Sequence, residues 1–246
     1  MRNNNFFIIG AQRCGTTYLY HQLDEHPEIC MAKPIRPEPK FFLEPAEYKK
    51  GKEYYVGKYF KSCTQSVRGE KSTSYIEFES ALERIRNFFP EAKIMIVLRN
   101  PVDRALSNYR FSVKNGFETR TPEEVFLHKK KNPYSGPLPS VSPFDYLRRG
   151  EYIRYVKKVF NYYHPHQVQV VVFEHMIANK ENLADIYNFL GVDPLFQPAS
   201  VDKVINASEG VEEVSEEVFQ ALRQHFFPLN RELEEFLQIN LNCWEE

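Results

Sequence analysis

The chain has 246 residues, 42% of them hydrophobic, 15% aromatic and 26% charged. That length holds one domain or at most two, and 20 Phe with 15 Tyr exclude a disordered chain. The 32 Lys and Arg against 33 Asp and Glu give a net charge of -1, which excludes a global electrostatic grip on nucleic acid and leaves room for a local basic site.

The run Phe6-Phe-Ile-Ile9 ends at Gly10 and fits a strand buried on both faces of a parallel sheet. Thr16 to Glu25 reads as a helix with Leu19 and Leu23 on one face, closed by His26-Pro27. Lys33 to Lys40 contains Pro34, Pro37 and Pro39, so it is a stiff loop. Glu77 to Phe89 reads as a helix that stops at Pro90. Lys93 to Arg99 is the second buried strand, followed by a helix with Asn100 as cap and Pro101 in its first turn. Thr121 caps another helix, and Asn132 to Pro143 is a surface loop. Phe144 to Tyr163 shows a long helical pattern, and Gln167 to Phe173 is the third strand. Asn182 to Leu190 is a helix closed by Gly191, a loop runs from about Pro194 to Val214, and helix resumes at Ser215. Strands alternating with helices predict an α/β fold with an open, mostly parallel sheet and helices on both faces. No linker divides the chain, so residues 1–246 read as a single domain.

The four cysteines, Cys14, Cys30, Cys63 and Cys243, form no CxxC pair and no metal-ligand spacing. Reduced thiols in a cytoplasm are the simpler reading at this length. No apolar stretch approaches the roughly 18 residues that span a bilayer, and the N-terminal apolar run is too short for a signal peptide. The chain reads as soluble. His164-Pro-His166 reads as a turn, and no carboxylate pair suggests Mg²⁺, so no metal is expected.

The most informative stretch is Gly10-Ala-Gln-Arg-Cys-Gly-Thr-Thr17, set between a buried strand and a helix. Its glycine spacing resembles the P-loop. Glycines permit the tight turn, the turn's N–H groups converge, the helix N-terminus favours an anion, and the hydroxyls of Thr16 and Thr17 can add donors to phosphate oxygens. A nucleotide triphosphatase needs Lys where Thr16 stands; here the cation is Arg13, inside the turn. Arg99 stands at the carboxyl end of the second buried strand, where open α/β sheets bind ligands. Ser107, nearly two turns into the next helix, can face back toward an anion held by Arg99. The competing reading pairs Arg99 with Asp103 and leaves Ser107 as a small packing residue.

Ile8 to Thr17 and Ile96 to Tyr109 together resemble PAPS-dependent sulfotransferases, which use 3′-phosphoadenosine 5′-phosphosulfate. The resemblance is closer to the branch acting on carbohydrates, the heparan-sulfate sulfotransferases and their bacterial relatives. Pro37-Glu-Pro-Lys-Phe-Phe42 is similar to that branch's Glu-x-His-Phe-Phe segment, and Gly69-Glu-Lys-Ser-Thr-Ser-Tyr75 to its Glu-Lys-x-x-x-Tyr segment. Arg149-Gly-Glu-Tyr152 and Phe189-Leu-Gly191 follow in the family's order, so the resemblance runs from about Phe6 to Gly191. It implies that Arg13, Cys14, Gly15, Thr16 and Thr17 hold the 5′-phosphosulfate, and that Arg99 and Ser107 hold the 3′-phosphate. PAP is the implied product. The family's loop Lys is Arg13 here, and no Lys-Gly-Arg loop appears between Lys203 and Val214.

Sulfuryl transfer needs a base for the acceptor hydroxyl. Glu38, fixed between Pro37 and Pro39, is the candidate, and the resemblance puts the family's base at the same position. Lys40 either stabilises the transferring sulfonate or only neutralises Glu38. Lys71 stands where the family places a Lys near the sulfuryl group. The loop after Asn132, with Arg148, Arg149 and Tyr152, is the candidate acceptor surface; a solvated helix end explains the two arginines equally. The implied acceptor is a hydroxyl, with an amine as second choice, and a saccharide is the expected class. A P-loop kinase or NTPase and a non-catalytic nucleotide-binding module are the alternative readings.

Overall fold

A computed structural model describes residues 4–139, 141–178, 182–199 and 214–245. Five strands, β1 (Asn4–Gly10), β2 (Ile29–Met31), β3 (Val67–Lys71), β4 (Lys93–Leu98) and β5 (Val168–Val172), form one sheet in the order β2-β3-β1-β4-β5. Every pairing is parallel. The helices are α1 (Thr16–Asp24), α2 (Pro45–Tyr48), α3 (Gly51–Tyr59), α4 (Glu79–Phe88), α5 (Pro101–Lys114), α6 (Pro122–Phe126), α7 (Tyr152–Tyr162), α8 (Phe173–Ala178), α9 (Asn182–Leu190) and α10 (Glu216–Leu237). This is the expected P-loop-like α/β arrangement. The chain leaves β1 toward β2 and β3 on one side and later fills β4 and β5 on the other. The order therefore switches at β1, and open α/β sheets as a class bind ligands outside the strand ends at such a switch.

The apolar runs account for the centre of the sheet. β1 is buried from Phe6 to Gly10 and β4 from Ile94 to Leu98, as strands covered on both faces must be. Three local signals act as read. Asn100 accepts from the Val102 N–H at 3.0 Å, Thr121 and Glu124 form a capping box, and Gly191 ends α9 at φ 80°.

Three expectations need correction. First, the sheet has five strands, not the three legible as apolar runs. β3 reads Val-Arg-Gly-Glu-Lys, with one large apolar residue, yet Glu70 and Lys71 are 1% and 4% exposed. Their burial is possible because each finds polar partners. Second, the helix expected from Phe144 begins only at Tyr152. A 3₁₀ turn over Arg148–Gly150 precedes it, with the Gly150 N–H bonded to the Leu147 carbonyl at 2.8 Å. Gly150 was the visible interruption in that pattern.

Third, the thiols are not all reduced. Cys30 on β2 and Cys63 after α3 form a disulfide, with their Cα atoms 5.9 Å apart. Cys14 and Cys243 remain as thiols. The cytoplasmic placement rests on reduced thiols, and that premise does not hold for this pair. The bridge closes a sequence separation of 33 residues, for which chain-entropy arguments give about 3–4 kcal/mol. Reduction is therefore expected to move the urea midpoint down clearly; identical midpoints with and without reductant would remove the bridge from the stability account.

The chain divides into two compact units, Met1–Leu98 with Tyr155–Ile205, and Arg99–Arg154 with Asn206–Glu246. The first contains the whole sheet. The second is built on α5, α6 and α10, whose core includes Val102, Leu106, Tyr109, Phe126, Leu222 and Phe226. Among the described residues, no helix is long and apolar enough to cross a membrane.

Candidate active site

In the first unit the β1–α1 turn joins the carboxyl end of β1 to α1. Gly15 sits at φ 80° and ψ 11° as the residue before α1, and no side chain caps that helix end. A helix start without a side-chain cap is a place where anions bind in general. Arg13 also lies at positive φ, 69°, within the turn. Thr16 is 5% exposed at the helix start, with Thr17 half-buried beside it. The Ala11 N–H donates to the Val97 carbonyl at 2.8 Å and ties the turn to β4. Cys14 is fully buried and its thiol reaches the Gln12 carbonyl at 3.7 Å, so any ligand contact from Cys14 is through its backbone.

The second cluster forms at the end of β3, one strand away. Ile8 of β1 pairs with Lys71, and the Ser72 N–H bonds the Ile8 carbonyl at 3.1 Å. There the Glu38 carboxylate is held by three groups of the segment it faces. Lys71 Nζ is 2.5 Å from Oε1, the Thr73 N–H donates to Oε2 at 2.9 Å, and the Thr73 hydroxyl lies 3.0 Å from both oxygens. The Glu38 side chain keeps 17% of its surface exposed, whereas Lys71 keeps 4%. A charge-assisted bond to a buried ammonium fixes the carboxylate's direction while leaving an edge accessible. The cation on Glu38 is therefore Lys71. Lys40 is tied down by its main chain, whose N–H donates to Ser72 Oγ at 3.0 Å.

The loop bearing Glu38 is anchored by Phe41 and Phe42, both fully buried. Phe42 meets Phe7 and Tyr75 edge-on at 5.6 and 5.8 Å, and Arg84 donates to the Phe42 carbonyl at 2.8 Å. Burial of two such rings contributes roughly 1.5–3 kcal/mol each.

Sequence reasoning missed what lies beneath this loop. Glu70 is buried and accepts from Tyr55, Tyr75 and Ser72 hydroxyls at 2.6, 2.6 and 2.7 Å. Burial pushes its carboxyl above the ordinary value, and the three donors pull the other way. Burial and the adjacent carboxylate hold the Tyr55 and Tyr75 phenols well above theirs, so both remain donors. Glu70, Ser72 and Tyr75 all lie within the segment 69–75 singled out above, and the paired Glu and Tyr were its readable signal.

In the second unit Arg99 forms an ion pair with Asp103 at 3.1 Å, with the arginine side chain 28% exposed. Ser107 is 4% exposed on α5. Tyr152 is buried and donates to the Arg99 carbonyl at 2.8 Å. Arg149 is buried too, donating to the Ser142 carbonyl at 2.6 Å with Asp145 nearby at 3.8 Å. Of the three candidate acceptor residues only Arg148 faces outward. The segment expected to lack a Lys-Gly-Arg loop lies, but for Val214, outside the described residues. Among the described residues no group of three or more His, Cys, Asp or Glu is arranged to hold a metal ion.

Comparison with known proteins bears on this geometry. A family model described as "Sulfotransferase domain" matches residues 3–224. The heparan sulfate glucosamine 3-O-sulfotransferase 5 of Homo sapiens is 26% identical over 96% of this chain and 72% of its own length. The membrane-associated sulfotransferase kil1 of Dictyostelium discoideum is 35% identical over 114 residues, 45% of this chain and 23% of that protein. The chain thus spans under a quarter of kil1. A sulfotransferase crystal structure from Alicyclobacillus acidocaldarius superposes with a TM-score of 0.81 at 26% identity, over 100% of both chains. A strand–turn–helix whose helix start has no side-chain cap, a carboxylate held by a buried lysine on the neighbouring strand, and a family match over residues 3–224 stand together: this protein belongs to the sulfotransferase-domain family.

Proposed function

We propose that the protein transfers the sulfuryl group of PAPS to a hydroxyl of a saccharide acceptor, with Glu38 as general base. The observation that carries this reading is the Glu38 carboxylate oriented by Lys71 and Thr73 at the end of the strand next to the anion-binding turn. The turn fits a phosphosulfate: its helix-start amides lack a side-chain cap, and Arg13 supplies the charge. Arg13, Gly15, Thr16 and Thr17, with the Cys14 backbone, take the 5′-phosphosulfate. Arg99 and Ser107 take the 3′-phosphate, which must compete with Asp103 for the guanidinium.

In the transfer, the acceptor O–H proton passes to Glu38 as the acceptor oxygen bonds to sulfur. The bond from sulfur to the bridging oxygen breaks, and PAP leaves with the electron pair. Proton uptake neutralises Glu38 and weakens its hold on Lys71, whose ammonium then faces the charge developing on the transferring group. Arg13 and Lys40 are the further cations assigned to that charge. Positioning and charge stabilisation supply most of the catalysis, by analogy with phosphoryl transfer. The saccharide acceptor is supported by the similarity to the heparan sulfate 3-O-sulfotransferase. Of Arg148, Arg149 and Tyr152, only Arg148 retains the exposure an acceptor contact needs.

Thermal unfolding with PAP, ATP, GTP and NAD tests the donor. PAP alone is expected to raise the Tm, by linkage of about 2.7 kcal/mol at a hundredfold excess over Kd. A larger shift with ATP would transfer the case to a kinase. Transfer of label from ³⁵S-PAPS to heparan sulfate tests the acceptor.

A further inference from the structure

We infer that Glu70 is a positioning residue for this transferase: it directs two buried hydroxyls to hold the main chain of the loop that carries Glu38. The inference rests on Glu38 being the base, and the experiment below separates the two.

The two hydroxyls share one acceptor atom. Ser72 Oγ and Tyr75 Oη both donate to Glu70 Oε1, at 2.7 and 2.6 Å. Each hydroxyl has a single proton. Once that proton points at Glu70, only lone pairs remain to face elsewhere. They face the loop: the Lys40 N–H donates to Ser72 Oγ at 3.0 Å, and the Phe42 N–H donates to Tyr75 Oη at 3.2 Å. Glu70 therefore turns two ambivalent hydroxyls into fixed acceptors, two and four residues beyond Glu38. Its other oxygen, Oε2, takes Tyr55 at 2.6 Å, and among the described residues the Tyr55 hydroxyl makes no bond to the loop backbone.

All four groups are nearly or fully buried, Glu70 and Tyr55 at 1% and Ser72 and Tyr75 at 0%, so water does not substitute for a missing partner. The adjacent residue on β3, Lys71, binds the Glu38 carboxylate itself. Successive residues of a strand point to opposite faces. One five-residue strand thus fixes the base twice, by its carboxylate on one face and by its backbone on the other.

The test compares Ser72→Ala, Tyr75→Phe, Tyr55→Phe, Glu70→Leu and Glu70→Gln in the full chain. Two readouts are taken: amide hydrogen exchange at Lys40 and Phe42, and turnover of ³⁵S-PAPS with heparan sulfate. Ser72→Ala is expected to expose the Lys40 amide and Tyr75→Phe the Phe42 amide, with kcat down about tenfold and the KM for PAPS unchanged. Tyr55→Phe, which removes an equally buried bond to the same carboxylate, is expected to change neither. Glu70→Gln is expected to retain protection, because its amide oxygen can occupy the Oε1 site and its NH₂ can donate to Tyr55. Glu70→Leu loses both, and if it fails to fold the other four variants decide. In a Glu38→Gln background the two strap substitutions, Ser72→Ala and Tyr75→Phe, are expected to cost no further turnover. Equal losses in Tyr55→Phe and Ser72→Ala would overturn the proposal, since any weakening of the buried cluster would then suffice. So would full protection of Lys40 and Phe42 in the strap variants. If heparan sulfate accepts no label, the exchange comparison alone decides in the same terms. Undiminished turnover in Glu38→Gln, with amide protection still lost in the strap variants, would remove the base and leave the straps standing.

Discussion

Glu38→Gln is expected to lower turnover roughly 10²–10⁴-fold, the usual contribution of a positioned base, with PAP binding unchanged. Glutamine is the informative replacement. Removing the side chain would leave the buried Lys71 ammonium without its partner, which costs about 3–5 kcal/mol and confounds activity with folding. The glutamine oxygen can still accept from Lys71 at the position where Oε1 now takes a bond of 2.5 Å, and its NH₂ at the Oε2 position can donate to the Thr73 hydroxyl, so only the Thr73 N–H loses its acceptor. The fold and the PAP-induced rise in Tm should therefore survive while the proton acceptor is lost. Single-turnover transfer from ³⁵S-PAPS and a PAP titration, run on the same preparation, make the comparison. Turnover within twofold of wild type would sink the assignment of Glu38 as base. A parallel loss of PAP binding would instead show that the substitution disturbed the turn on β1.

How much of this was legible depended on which residues advertise burial. β1 and β4 were readable because a strand covered on both faces must be apolar along its length. β3 was not, because its buried residues are charged: Glu70 and Lys71 pay for burial with specific bonds that no periodicity encodes. The same gap hid the partner of Glu38. With β3 unseen, the nearest cation along the chain was Lys40, whereas parallel pairing with β1 brings Lys71 there across 33 residues. Arg149 and Tyr152 show the opposite error. A basic pair beside a loop reads as an exposed binding edge, but the arginine's long stem lets it fold inward to the Ser142 carbonyl. The disulfide was unreadable for a related reason, since pairing Cys30 with Cys63 requires the placement of β2, three residues long, at the sheet edge.

Gly15→Ala is expected to be the most damaging single-methyl change in the sheet-bearing unit, through two independent effects. The residue sits at φ 80°, where a side chain meets the following carbonyl and costs about 1–2 kcal/mol. The added Cβ would also lie 2.2 Å from two ring carbons of Phe173, the first residue of α8. That ring packs edge-on against Tyr18 of α1 at 6.3 Å, so it cannot withdraw without disturbing the start of that helix. Overpacking of this kind adds roughly 1–3 kcal/mol. Stability should fall by the sum, and PAP affinity should fall more than tenfold, because re-aiming the helix-start donors removes the anion site itself. The two effects separate in a double variant. Gly15→Ala with Phe173→Ala relieves the clash but not the backbone strain, so it should recover part of the lost PAP affinity. Urea unfolding combined with PAP titration reads both quantities. An unchanged PAP affinity in the single variant would mean that the turn at Gly15 does not hold the donor, and that the phosphosulfate must be sought elsewhere on the chain.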